Sequence, residues 1–187
     1  MTYAEYIAAE VVSQVRHEFL DGDVWEMAGG TPEHGALAAA LIRELGATLR
    51  GKPCRVYTSD VRLRVVATGL STYPDVSVVC GGLDTAAEDP DAITNPVVLV
   101  EVLSDSTEAY DRGAKAAHYR RIPSLREHVL VAQDEPRVEV YRRADGGRWE
   151  LIETRPGEVV ELASLGVRLE VSAIYANPLG AGTATRG

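Results

Sequence analysis

Thr72-Tyr73-Pro74-Asp75-Val76-Ser77-Val78-Val79 and Pro96-Val97-Val98-Leu99-Val100-Glu101-Val102-Leu103 are two apolar stretches that each carry one acid. A carboxylate set in a run of Val and Leu costs several kcal/mol to desolvate unless something pairs with it. Pro74 has no N–H to give to a sheet ladder, so its strand begins at or just after it and Asp75 sits at the strand mouth. Glu101 lies deeper, near the end of its own strand. If the strands are neighbours, both acids come to one end of a sheet and share a hard divalent ion, with the carboxylates roughly 4–6 Å apart. The other account has Asp75 capping a turn and Glu101 meeting a buried Arg, and these two stretches alone leave both open.

The chain around them has 187 residues, 45% of them hydrophobic. That length buries roughly two-thirds of its unfolded surface around one core. We expect a single domain over residues 1–178 and a flexible Gly/Ala/Thr-rich tail at 179–187. No run approaches the roughly 18 apolar residues of a membrane span, and the N-terminus lacks the pattern of a signal peptide, so a cytoplasmic protein is expected. Cys54 and Cys80 show no paired-Cys spacing, which points to core filler rather than a disulfide framework or a zinc site.

The net charge of −9 excludes a protein that coats nucleic acid or an anionic membrane by bulk electrostatics. That bulk charge leaves room for a local basic site, because Arg112, Lys115, Arg120, Arg121 and Arg126 follow one another with no acid between them. Only Lys52 and Lys115 are lysines among the 19 basic residues, so a retained Lys is informative. Lys is a compact charge whose proton affinity its surroundings can tune, which Arg cannot offer.

Taken in order, Thr2-Tyr3-Ala4-Glu5 has capping-box spacing and starts a peripheral helix toward Val12. Asp21-Gly22 between His17-Glu18-Phe19-Leu20 and Val24-Trp25-Glu26-Met27 predicts a hairpin. Thr31-Pro32 opens a helix whose Leu37, Leu41, Ile42, Leu45 and Leu49 recur at helical spacing until Gly51 and Pro53. Glu33 and His34 lie in its first turn, where they read either as a dipole partner and a surface residue or as His34 aimed at the acids. Arg55 to Val66 reads as one or two strands; with the Asp75 and Glu101 strands it suggests an antiparallel meander. Ser104-Asp105-Ser106-Thr107 then caps a helix from Glu108 to Arg121 that Pro123 ends. On it Arg112, Lys115 and Tyr119 fall near one face, and Gly113 permits close approach beneath. Glu127 to Gln133, Arg137 to Arg143, Arg148 to Thr154, Val159 to Leu162 and Val167 to Val171 read as further strands.

This order resembles the core of the PD-(D/E)XK nuclease superfamily, and within it the Uma-type family of putative restriction endonucleases. The segments that carry the resemblance are His17 to Gly22, Thr31-Pro32-Glu33-His34, Asp60-Val61-Arg62-Leu63, Pro74-Asp75, Val100 to Ser104 with Ser106-Thr107, Asp111-Arg112-Gly113 with Lys115, and Val138 to Arg142. The resemblance covers most of the chain, from about Thr2 to Ala176. The superfamily's motif places Lys two residues after the second acid, where this chain has Leu103; in the Uma-type family the Lys comes from the following helix, which Lys115 resembles.

The resemblance implies an α/β fold, a restriction-endonuclease-like mixed central sheet flanked by helices with extra antiparallel strands. It implies a metal-dependent nuclease that hydrolyses phosphodiester bonds in nucleic acid, DNA in the first instance. Asp75, Glu101 and the carbonyl of Val102 would hold Mg²⁺ or Mn²⁺. Lys115 would orient or deprotonate a water, or offset charge on the phosphate, with Glu18 and His34 in support. Arg112, Arg120 and Arg121 would grip backbone phosphates or else form a solvated helix face. A reading from another class keeps the fold as an inactive, dimeric cation- or nucleic-acid-binding module. A homodimer is the default assembly in either case, because small sheets expose edges.

Overall fold

The computed structural model describes residues 1–27 and 29–179, so all of the expected tail but Leu179 lies outside the described residues. Helix α1 (Tyr3–Val12) carries the capping box between Thr2 and Glu5. The hairpin β1 (His17–Leu20) and β2 (Asp23–Glu26) turns at Asp21 and Gly22, both at positive φ as a two-residue turn of this hand requires. Helix α2 (Pro32–Thr48) is capped by Thr31, whose side chain accepts from the His34 N–H.

The strands that follow are β3 (Cys54–Thr58), β4 (Arg62–Val65), β5 (Leu70–Thr72), β6 (Val76–Cys80), β7 (Thr85–Ala86), β8 (Asp89–Ile93) and β9 (Val98–Val102). Beyond the helical segment 108–119 come β10 (Glu127–Val131), β11 (Val138–Arg143), β12 (Trp149–Thr154), β13 (Val159–Leu162) and β14 (Val167–Glu170). They form a six-stranded sheet ordered β12-β11-β10-β9-β6-β3, a second ordered β2-β1-β5-β4-β8-β7, and the pair β13-β14. Strands β3, β6 and β9 are antiparallel neighbours, as the meander expects, but they are not consecutive. The chain leaves for the second sheet after β3 and again after β6, because β4, β5, β7 and β8 pair there. The expected mixed sheet is present, since β9 and β10 run parallel. A parallel pair needs a crossover, and segment 108–119 supplies it as a helix.

The pleat divides the core. Val98, Val100 and Val102 face one side with Val76 and Val78, and there Leu37, Leu41, Leu45 and Leu49 of α2 cover them. Leu99 faces the other side, against Tyr119, Ile122 and Leu125 of the crossover. Alternation puts Glu101 on that second face, under the crossover helix.

Two expectations are corrected here. Cys54 and Cys80 are bonded as a disulfide, their Cα atoms 4.0 Å apart, because the register of β3 on β6 sets them directly opposite each other. Gly113 does not serve close packing: a Cβ there would meet nothing within 4 Å, since the residue faces solvent. Among the described residues no helix is long and apolar enough to cross a membrane.

Candidate active site

Val76 pairs with Val100, so one further step of the same antiparallel register sets Asp75 against Glu101. Opposed residues of this kind have Cβ atoms about 4.5–5.5 Å apart. The ladder stops there because Pro74 has no N–H to give. The Val102 N–H goes instead to Asp75 Oδ2 at 2.7 Å, which ties the two strand ends together through the carboxylate. His34 Nε2 lies 3.2 Å from the same oxygen, delivered by the first turn of α2. That contact with Asp75 raises the His34 pKa above its ordinary value, although burial opposes it.

The crossover brings the cation. Within it, Glu108–Tyr110 and Ala116–Tyr119 are α-helical, and Asp111–Lys115 between them is a π turn. Such turns often mark functional sites. Lys115 Nζ lies 3.0 Å from Glu101, 3.3 Å from Asp111 and 3.4 Å from Glu18, so three carboxylates share one ammonium. Burial disfavours its proton, but those acids outweigh burial and hold the Lys115 pKa well above the usual lysine value. Glu101 also accepts from the Tyr119 hydroxyl at 2.5 Å. Burial pushes the Glu101 carboxyl up to about 8; Lys115 pulls it down, while Asp111 and Asp75 add to the rise. Burial likewise raises Asp111, against the pull of Lys115.

Glu18 reaches the cluster from the second sheet. Tyr110 and Trp25 donate to its Oε2 at 2.8 and 3.1 Å, and Thr72 donates to its other oxygen. The five side chains singled out in the sequence, Glu18, His34, Asp75, Glu101 and Lys115, thus line one cleft of about 320 Å³, together with Val102. Glu101 meets Lys115 rather than the buried Arg of the other account, while Asp75 accepts a backbone N–H across the strand ends.

Asp111 was not among the expected site residues, although its spacing of four from Lys115 on one helix was legible. Trp25 could also have been placed, because the Asp21-Gly22 turn fixes it opposite Glu18. The arginines lie elsewhere. Arg112 forks onto Glu139 and bonds Glu108, and Arg120 stacks over Tyr141 and Trp149, so neither lines the cleft.

Four acids, Glu18, Asp75, Glu101 and Asp111, crowd one ammonium and one imidazole, and a cation bound among them would offset the repulsion from Asp111 and Asp75 that helps raise Glu101. Among the described residues no three His, Cys, Asp or Glu side chains stand as a complete metal cluster. The contacts to Asp75 and Glu101 land on Oδ2 and Oε1, which leaves the other oxygen of each for an ion. Free oxygens on two neighbouring carboxylates are ligands of the kind a hard divalent ion takes.

Comparison with known proteins agrees with the fold. A crystallised "putative nuclease belonging to DUF820" from Anabaena variabilis ATCC 29413 superposes with a TM-score of 0.75 at 16% identity, over 94% of this chain and 98% of that one. Two proteins of Synechocystis sp. (strain ATCC 27184 / PCC 6803 / Kazusa), each described as uncharacterized, are 35% and 33% identical. The first match covers 91% of this chain and 89% of its relative, the second 87% and 91%. Residues 3–172 match the model of the Uma2 family, described as "Putative restriction endonuclease". The chain therefore belongs to the Uma2 family of putative restriction endonucleases.

Proposed function

We propose that this family member is a divalent-metal-dependent nuclease that hydrolyses phosphodiester bonds in DNA. The observation that carries the reading is Asp75 in register with Glu101 at one sheet end, with Lys115 Nζ 3.0 Å from Glu101. Asp75, Glu101 and the Val102 carbonyl would hold Mg²⁺ or Mn²⁺, which when bound supplies charge neutralisation at the phosphate and an activated water. Three carboxylates at 3.0 to 3.4 Å favour Lys115 as an ammonium, so its role is to fix Glu101 and offset phosphate charge rather than to take a proton. His34 orients Asp75, and Glu18 with Asp111 keeps Lys115 in place. In the reaction water adds to phosphorus, the bond to the departing ester oxygen breaks, and that oxygen leaves protonated.

Incubation of the purified protein with DNA and RNA substrates over a Mg²⁺ and Mn²⁺ series tests this. Cleavage should appear, and Asp75→Asn, Glu101→Gln and Lys115→Ala should each lower it by about 10²–10⁴. Tight metal binding at the acids with every substrate left intact would instead establish the inactive binding module. A homodimer in the cytoplasm is the proposed setting. The edge strand β12, with Leu151 54% exposed, supports the dimer, and light scattering on the purified chain checks it.

A further inference from the structure

The groups around Lys115 lie at the bottom of their cleft: Glu101 is 3% exposed and Lys115 4%. A phosphate reaches them through this cleft of about 320 Å³, which is large enough to admit an unpaired base beside its phosphate. Beside its acids this cleft is lined by the rings of Trp25, Tyr73 and Tyr110. Trp25 is 36% exposed, yet its indole is fixed, because Nε1 donates to Glu18 at 3.1 Å. A ring held at its polar edge, with part of its surface in water, is a stacking platform for a planar group.

The groove outside points the same way. A groove of about 1250 Å³ adjoins the cleft at His34, Tyr73 and Asp75, which line both. Glu10, Glu26, Asp60 and Asp91 contribute carboxylates to it, whereas its two arginines are already engaged. Arg16 pairs with Asp60, and Arg62 grips Asp89 through two hydrogen bonds of 2.7 and 2.9 Å. Duplex and single-stranded DNA alike draw affinity from Lys and Arg at their phosphates, and this groove offers none uncommitted among the described residues, so what holds a strand here has to come from its bases. Single strands draw much of their affinity from bases stacked on aromatic rings.

We infer that the cleft takes one unpaired nucleotide of a single-stranded DNA, its base stacked on Trp25. This rests on the proposed phosphodiester hydrolysis for its purpose, but its test does not depend on turnover. Trp25 is one of two tryptophans, so in a Trp149→Phe background its emission reports the cleft alone. With Ca²⁺ in place of Mg²⁺, a short oligothymidylate should quench Trp25, and a blunt hairpin duplex should not. In anisotropy titrations of a labelled oligothymidylate, Trp25→Ala should weaken binding about tenfold or more, and Trp25→Phe should recover most of it. Equal quenching by the duplex, or unchanged single-strand binding in Trp25→Ala, overturns the inference. So does a Trp25→Phe variant as weak as Trp25→Ala, because the lost element would then be the N–H to Glu18 rather than stacking. Quenching by single strands with no cleavage anywhere sinks the hydrolysis and keeps this occupant, whereas duplex cleavage with Trp25 unaffected does the reverse.

Discussion

Glu101 is an acid in a strand of Val and Leu, and the way the fold tolerates it sets a pH dependence. Burial raises its pKa to about 8 from the ordinary glutamate value near 4.5. The folded protein then holds a proton that the unfolded chain releases, so this residue's contribution to stability is full below about pH 4.5 and is lost as pH rises toward 8. At about 1.4 kcal/mol per pKa unit, the loss amounts to as much as roughly 5 kcal/mol. In metal-free buffer, Glu101→Gln should therefore gain in melting temperature relative to the wild type between pH 5 and pH 8. Added Mg²⁺ should raise the wild type most at the upper end of that range and leave Glu101→Gln nearly unmoved. A constant difference between the two proteins across the range would show that Glu101 is not the group that titrates. The acid and its cost were legible in the run Val98 to Val102, because an ionisable group there has to be accounted for. Which cation answered it was not, since Lys115 comes from 14 residues further along, through a crossover whose docking no local pattern encodes.

At the scale of elements, helix α2 was readable from Thr31-Pro32 and the leucine spacing, and its cap stands as expected. Its use in the site depends on something finer, the approach of the chain just before the cap. A Cβ on Gly30 would lie 2.8 Å from His34 Nδ1, so the glycine leaves room for the ring that reaches Asp75. Gly30→Ala should push that ring aside while keeping the Thr31 cap. The His34 pKa, raised by Asp75, should fall back toward its ordinary value, as an NMR titration of the imidazole would read. An unchanged His34 titration in this variant would mean that the ring accommodates the methyl and that the glycine has no positioning role. The capping run Ser104 to Thr107 and the stop at Pro123 predict one α-helix for the crossover, and it does cover the sheet. The π turn Asp111–Lys115 escaped that reading because a wider turn differs from the α-helix by one hydrogen-bond step and carries no signature in residue type.

For the molecule as a whole, local patterns gave the strands and not their partners. Strands β3, β6 and β9 lie side by side although segments of another sheet interrupt them, and pairing at that range depends on the closure of the whole fold. The cysteines show the cost of that gap most directly: a separation of 26 residues says nothing, whereas the register Cys54 against Cys80 places them in bonding position. The disulfide clips β3, the outermost strand of the sheet, to β6, the strand that begins beside Asp75. Cross-linking a loop of this length removes unfolded-state entropy worth about 3–4 kcal/mol. A reducing cytosol would open the clip, so the expected compartment and this bond make different demands. Reduction with dithiothreitol should lower the melting temperature by roughly 10 °C, and a Cys54→Ser, Cys80→Ser double variant should melt at the lower temperature with or without reductant. The acids, Lys115 and the strands between them keep their pairings without the clip, so metal binding at low temperature should be unchanged. Two free thiols in the denatured, unreduced wild type, together with a melt indifferent to reductant, would show that β3 is held by its ladder and packing alone.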